Sequence, residues 1–227
     1  TGIKLSKKSV QMNNNQPKIK ICGIKDFKIV DQLLKFNIDF LGLNFIENSK
    51  RYIDINTAID ISKKIKQTNK QISLVGLFQD HENEHVNKLV KFIGLDYVQL
   101  CGNESLEYTK EIDCKSIKTI HIKTEDHVNE IDKKIKKYLL NCDYVILDTF
   151  SKKSSGGTGK TFDWDKYKEL FSNNIFLAGG LNPKNINNAV GILSPWGVDV
   201  SSGVETNGIK DVNKIRNFIQ QCKHQND

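Results

Sequence analysis

The chain is poor in features that mark a membrane, a secretory route or a metal centre. Among 227 residues there are 3 prolines, 1 methionine and 5 cysteines, and no apolar run approaches the ~20 residues of a membrane span. No signal-peptide core precedes the first apolar segment, so the expected setting is the cytoplasm. The cysteines (Cys22, Cys101, Cys114, Cys142, Cys222) are odd in number, scattered and without a Cys-x-x-Cys pair. That argues against a disulfide framework and a zinc site, and reduced thiols are expected. His81 and His85 have helical spacing but no third ligand beside them, so they read as a solvated helix face and no metal is expected.

The net charge is +7 and the isoelectric point about 9.0. Lys63, Lys64, Lys66, Lys133, Lys134, Lys136 and Lys137 are spread over helical segments with acids between them, and no stretch interleaves aromatics with arginine. That argues against a nucleic-acid surface. An anionic small substrate, or no more than a lysine-rich composition, remains.

Residues 1–17 carry Lys4, Lys7 and Lys8, no acid, Asn13 to Asn15 and then Pro17, which reads as a flexible basic lead-in. From Lys18 to the end, short apolar runs alternate with segments of helical period. The strands are expected at Ile19–Cys22, Phe40–Phe45, Ile72–Phe78, Tyr97–Leu100, Ile117–Ile122, Tyr144–Leu147, Ile175–Ala178 and Val198–Val200. Their Ile, Leu, Val and Phe fall on consecutive positions, as strands covered on both faces require. Helices are expected at Asp26–Phe36, Thr57–Ile65, Glu84–Ile93, Leu106–Ile112, Val128–Leu139, Asp165–Phe171, Pro183–Val190 and Asp211–Gln221. Asn56 is the expected start signal of the second, and Asn182 with Pro183 that of the seventh.

Strand and helix alternating through residues 18–227 predict an α/β fold, a single (β/α)8 TIM barrel. A doubly wound sheet is the alternative, because element order alone does not prove closure. In a barrel the chemistry sits where the strands end. That rule selects Cys22, Asn44 with the loop to Arg51, Phe78 to Asp80, Gln99, Cys101, His121, Asp148, Gly179, Gly180 and Asp199 to Gly203.

Leu147 to Trp164 is the most informative stretch. An apolar strand delivers Asp148 at its end, and Gly156, Gly157 and Gly159 follow in a loop of Ser, Lys and Gly. Glycine lets backbone N–H groups approach an anion, so the segment offers a proton donor and a phosphate cradle. Taken alone, Gly-Gly-Thr-Gly fits a mobile surface loop equally well. The order Gly156-Gly157-Thr158-Gly159-Lys160-Thr161 misses the P-loop spacing and argues against a nucleoside triphosphate site.

Several motifs in order carry a family resemblance. They are Lys20 to Ile24, Gly42 with Ser49 to Tyr52, Val75 to Phe78, Val98 to Leu100, Leu147 to Thr149, Gly156 to Trp164, Leu177 to Pro183, Val198 to Glu205 and Gly208 to Asp211. Through them the chain resembles the phosphoribosylanthranilate isomerase family. The resemblance covers Lys18 to about Phe218.

It implies an Amadori rearrangement of N-(5-phosphoribosyl)anthranilate to 1-(2-carboxyphenylamino)-1-deoxyribulose 5-phosphate in tryptophan biosynthesis, with no metal or organic cofactor. By the same resemblance Cys22 is the general base and Asp148 the general acid. Asp148 is expected to need a pKa raised by burial in a closing site. Arg51 is then the anchor of the anthranilate carboxylate, with Asp199 and Gln99 facing the substrate. The phosphate falls to Gly179, Gly180, Ser201, Ser202 and Gly203, and Gly157, Thr158 and Gly159 close over it.

Two departures stand out: Cys101 where the family often has His, and Ile46-Glu47-Asn48 where it often has an aromatic-Pro step. The alternatives left open are another phosphosugar aldose-ketose isomerase, for which an Asp is expected on the first strand, and a non-catalytic phosphate-ligand binder. A phosphosugar is the expected partner, and nucleic acid and membrane are not. Monomer or homodimer, and fusion to a neighbouring enzyme, stay open.

Overall fold

The computed structural model describes residues 16–68, 71–123, 125–149 and 164–223. Most of the predicted lead-in, and Gly157, Thr158 and Gly159, lie outside them. In chain order the elements are β1 (Lys18–Cys22), α1 (Phe27–Leu33), β2 (Phe40–Asn44), α2 (Ile55–Lys66), β3 (Ser73–Phe78) and α3 (Asn83–Leu89). A π turn at Val90–Gly94 then leads to β4 (Tyr97–Leu100), α4 (Leu106–Lys110), β5 (Lys115–Ile122), α5 (Val128–Tyr138) and β6 (Tyr144–Thr149). The chain continues through α6 (Trp164–Tyr167), β7 (Ile175–Ala178), α7 (Ile186–Leu193), β8 (Gly197–Val200), the short β9 (Glu205–Thr206) and β10 (Ile209–Lys210), and α8 (Val212–Lys223).

The eight parallel strands β1 to β8 close into a barrel. β8 pairs with β1 through Lys18↔Gly197, Ile19↔Val198, Lys20↔Asp199 and Ile21↔Val200, which removes the doubly wound alternative. The strands lie within a few residues of their predicted positions because an apolar run with both faces covered is a strong local signal.

Strand alternation divides the core in two. Outward residues such as Ile19, Ile21, Leu41, Leu43, Val98 and Val200 pack under the helices. Inward residues make a separate cluster of Phe40, Val75, Leu77, Tyr97, Ile117, Ile146, Phe176 and Ala178 with Cys22, against which Tyr144 and Trp196 pack. At its amino end this cluster is an aromatic plug. Phe40 meets Tyr97 and Phe176 edge-on, with centroids 5.5 and 5.4 Å apart, and Tyr144 stacks on Trp196 at 4.3 Å. The barrel is filled from below, so its open end is the carboxyl rim.

Helix starts are set by side-chain caps. Asp26 accepts from Lys28 N, and Ser105 accepts from Tyr108 N. The second helix starts earlier than expected: Asp54, not Asn56, is its cap, accepting from the backbone and hydroxyl of Thr57. Nor does Pro183 open α7. The Asn182 side chain accepts from Lys184 N, and Asn185 donates to Gly180 O, so 183–185 form a turn before Ile186. The predicted helix at 165–171 is one α turn continued by a 3-10 turn at Lys168–Leu170. The hairpin β9–β10 was not anticipated, although Asn207-Gly208, with φ 51° and 76°, is a characteristic two-residue turn.

Candidate active site

Residues two apart on a strand share a face, so one parity rule brings most of the candidates together. Lys20 and Cys22 on β1, Gln99 on β4 with Cys101 just beyond it, Thr119 and His121 on β5, Asp148 on β6 and Asp199 on β8 all face inward at the carboxyl rim. The register places Lys20 beside Asp199 and His121 beside Asp148.

Cys22 is buried. Burial pushes its thiol up; the Lys20 ammonium beneath it pulls the other way, and Asp199 again upward. Lys20 is fully buried in the barrel, and its Nζ lies 3.0 Å from Asp199 Oδ1. Burial alone would depress its pKa, yet Asp199 and the Cys22 sulfur hold it above the ordinary value. Burial likewise raises Asp199, against the pull of Lys20. Cys22, Lys20 and Asp199 therefore form one electrostatic unit, in which the ammonium is the charge that favours a thiolate. Lys20 was not among the predicted site residues, although a lysine two positions before Cys22 in an apolar strand carried that signal.

Asp148 is 36% exposed at its side chain, and its Oδ2 lies 3.6 Å from His121 Nδ1. The described neighbour of this carboxyl is the imidazole of His121. The loop expected to enclose it lies outside the described residues.

Arg51 pairs with an acid across the rim. Its Nε and Nη2 donate to the two carboxylate oxygens of Glu205 at 2.7 and 2.8 Å. Lys210 Nζ completes the cluster, donating to Glu205 Oε1 at 2.6 Å, Ser201 O at 3.0 Å and Ser201 Oγ at 3.3 Å. Burial works against the Glu205 carboxylate, but Arg51 and Lys210 outweigh it and hold the carboxyl down at about 2. Glu205 and Lys210 were missed as site residues because their role depends on the hairpin that folds them back.

Gln99 is buried and donates to Thr119 Oγ1 at 3.0 Å; its Oε1 has no partner among the described residues. Cys101 is held by its surroundings: Lys118, on the outer face of β5, binds Leu100 O, Gly102 O and Glu104 Oε2. Burial pushes the Cys101 thiol up to about 12, a poor candidate for a base.

The phosphate candidates from the last two strands meet. Gly179 and Gly180 have φ of 90° and 64°, and Ser201 Oγ donates to Cys22 O at 3.1 Å. Gly203 lies so close to the preceding loop that a Cβ there would come within 1.8 Å of Leu181 O. Its absence of a side chain lets the loops after β7 and β8 abut. At Gly180 a Cβ would meet nothing within 4 Å among the described residues.

This barrel, with its rim of Cys, Asp, Arg and glycine loops, matches known proteins over nearly its whole length. Residues 19–221 match the family model of N-(5'-phosphoribosyl)anthranilate (PRA) isomerase. The chain belongs to that family. An N-(5'-phosphoribosyl)anthranilate isomerase of Dehalococcoides mccartyi is 39% identical over 210 residues, spanning 91% of this chain and 95% of the relative. The phosphoribosyl anthranilate isomerase structure from Thermotoga maritima superposes with a TM-score of 0.79 at 32% identity, over 91% of this chain and 98% of that one. A structure of such an isomerase in complex with reduced 1-(o-carboxyphenylamino)-1-deoxyribulose 5-phosphate gives 0.76 at 30% identity, again over 91% and 98%. Among the described residues no helix is long and apolar enough to cross a membrane.

Proposed function

We propose that this member of the isomerase family converts N-(5'-phosphoribosyl)anthranilate to 1-(2-carboxyphenylamino)-1-deoxyribulose 5-phosphate, with Asp148 as general acid and Cys22 as general base. The observation that carries the reading is that both groups project into the same barrel mouth, from β1 and β6, at positions where the chain matches its family. The substrate is anionic at both ends, at the phosphate and at the anthranilate carboxylate.

Asp148 gives a proton to the furanose ring oxygen as the C1–O bond breaks, and the bonding pair goes to that oxygen. Nitrogen lone-pair donation leaves an iminium, which acidifies the hydrogen at C2. The Cys22 thiolate takes that proton and the C2–H electron pair becomes the enolamine, which tautomerises to the ketone. Acid and base suffice, so no metal or organic cofactor enters. The Lys20 ammonium opposes the burial that disfavours the thiolate, and Asp199 in turn holds Lys20.

The phosphate rests on the backbone at Gly179 and Gly180 and on Ser201, Ser202 and Gly203. Arg51 anchors the carboxylate. Since Glu205 already occupies two of its donors, the substrate either uses the remaining edge of the guanidinium or displaces Glu205. Gln99 Oε1, a buried acceptor without a partner among the described residues, is a contact for a substrate hydroxyl. On this reading the enzyme is cytoplasmic and works as a monomer or homodimer.

The test is an isomerase assay following loss of fluorescence of freshly generated phosphoribosylanthranilate, with Cys22→Ala and Asp148→Asn beside the native chain. Turnover by the native protein and its loss in both folded variants is expected. A variant that keeps near-native activity removes that residue from its role, and absence of turnover by native protein points to a different phosphosugar.

A further inference from the structure

His121 is an imidazole at the active rim to which the reaction above assigns nothing. It sits at the carboxyl end of β5, directly across the register from Asp148 on β6. Its Nδ1 is 3.6 Å from Asp148 Oδ2, and its Nε2 lies 3.3 Å from the Cys101 carbonyl on β4. The ring is therefore held between neighbouring strands on both sides, with one nitrogen turned to the acid. A carbonyl oxygen only accepts, so the Cys101 contact fixes a proton on Nε2 and leaves Nδ1 as the nitrogen that gains or loses a proton beside Asp148.

We propose that His121 is the positioning residue of the general acid: the His121–Asp148 pair holds one proton in common, and Asp148 passes it to the furanose ring oxygen. The proposal rests on Asp148 being the acid. The need for it is physical. The Asp148 side chain is 36% exposed, and proton donation near neutrality calls for a group that holds a proton there. An imidazole beside it keeps one proton on the pair through that range. In the protonated pair the imidazolium faces the carboxylate, and the pair is neutral overall. As the ring C1–O bond breaks, its electron pair goes to oxygen, which binds the proton coming through Asp148. Nδ1 is left unprotonated, and the pair carries a single negative charge opposite the new iminium. Solvent restores the proton before the next turnover.

The charged surroundings are compatible with this. Asp148 on β6 holds the imidazole's pKa above its ordinary value against the effect of partial burial, and the Cys101 carbonyl on β4 acts in the same sense. Lys118 on β5 opposes it, but its ammonium points to the outer face of the strand and is bound by Glu104. Cys101, with its thiol pushed up to about 12, stays neutral and adds no charge.

Two measurements on the full chain test the pair. NMR titration of the His121 ring should give a pKa above that of a free imidazole in the native protein and a lower one in Asp148→Asn; identical values in both overturn the coupling. The pH profile of kcat/KM should lose its alkaline limb early in His121→Gln, by one pH unit or more, because the variant lacks the imidazole that holds the shared proton. The variant's deficit is then expected to widen with rising pH across the alkaline limb and to reach at least about tenfold at pH 8, with KM little changed. A profile that overlays the native one, or a fall equal at every pH, overturns the proposal and leaves His121 a packing residue. Failure of the underlying reading is separate: it would appear as activity surviving in Asp148→Asn.

Discussion

The Cys22 sulfur and Gly42 stand side by side across the β1–β2 pair, and a Cβ at position 42 would lie 2.8 Å from Sγ and 3.1 Å from the Cys22 backbone. The thiol has its place because the neighbouring strand has no side chain there. Gly42→Ala must move the thiol or spread two hydrogen-bonded strands. Overpacking of this kind costs about 1–3 kcal/mol, and displacement of a reacting group by about 1 Å costs up to about 100-fold in rate. Thermal unfolding and kcat measured together should both fall; native kcat with a lowered melting temperature would separate Gly42 from the base.

Lys20 and Asp199 form a pair of charges inside the barrel, and each is tolerable only with the other. Lys20→Met leaves Asp199 buried and unpaired, for which an unfolding free-energy loss of about 3–5 kcal/mol is expected. It also removes the ammonium that favours the Cys22 thiolate, so the base limb of the pH–rate profile should move to higher pH. Adding Asp199→Leu should restore most of the stability and none of the rate. Denaturant unfolding and pH profiles of the single and double variants check both halves.

Gly203 and Gly180, both in the proposed phosphate site, differ in their surroundings, and alanine should distinguish them. At Gly203 the new methyl runs into Leu181 O and forces the loops after β7 and β8 apart. A large rise in KM, with a smaller change in kcat, is expected. At Gly180 no described atom stands in the way and the φ of 64° opposes a side chain; the cost is about 1 kcal/mol of backbone strain. Steady-state kinetics on both variants, with inorganic phosphate as competitor, measure the contrast.

Glu205 makes stability depend on acid. Its folded-state pKa of about 2 lies below the ordinary glutamate value of about 4.3. A depressed carboxyl contributes stability that is fully present above the unfolded value and lost as pH falls toward the folded one. The unfolding midpoint should therefore drop between about pH 5 and pH 2, and Glu205→Gln should flatten that slope. Since Gln cannot neutralise Arg51 and Lys210, the variant should also be less stable at pH 7. A native-like acid slope in the variant would assign the effect to other carboxyls.

The architecture was legible in the sequence because each strand is a short, continuous apolar run and each helix a periodic one, both local signals. The rim residues were legible for the same reason: Cys22, Asp148 and Asp199 end strands, and parity alone sends them inward. Cap positions failed where two polar residues competed, as Asp54 did with Asn56, since only backbone geometry decides which one reaches a free N–H. What the tertiary structure alone decided were partnerships between residues distant in the chain. Closure of β8 onto β1 joins Lys20 to Asp199, a hairpin returns Glu205 to Arg51, and strand register sets His121 beside Asp148. Propensity and period describe a residue and its near neighbours, whereas these contacts depend on register and closure of the whole barrel.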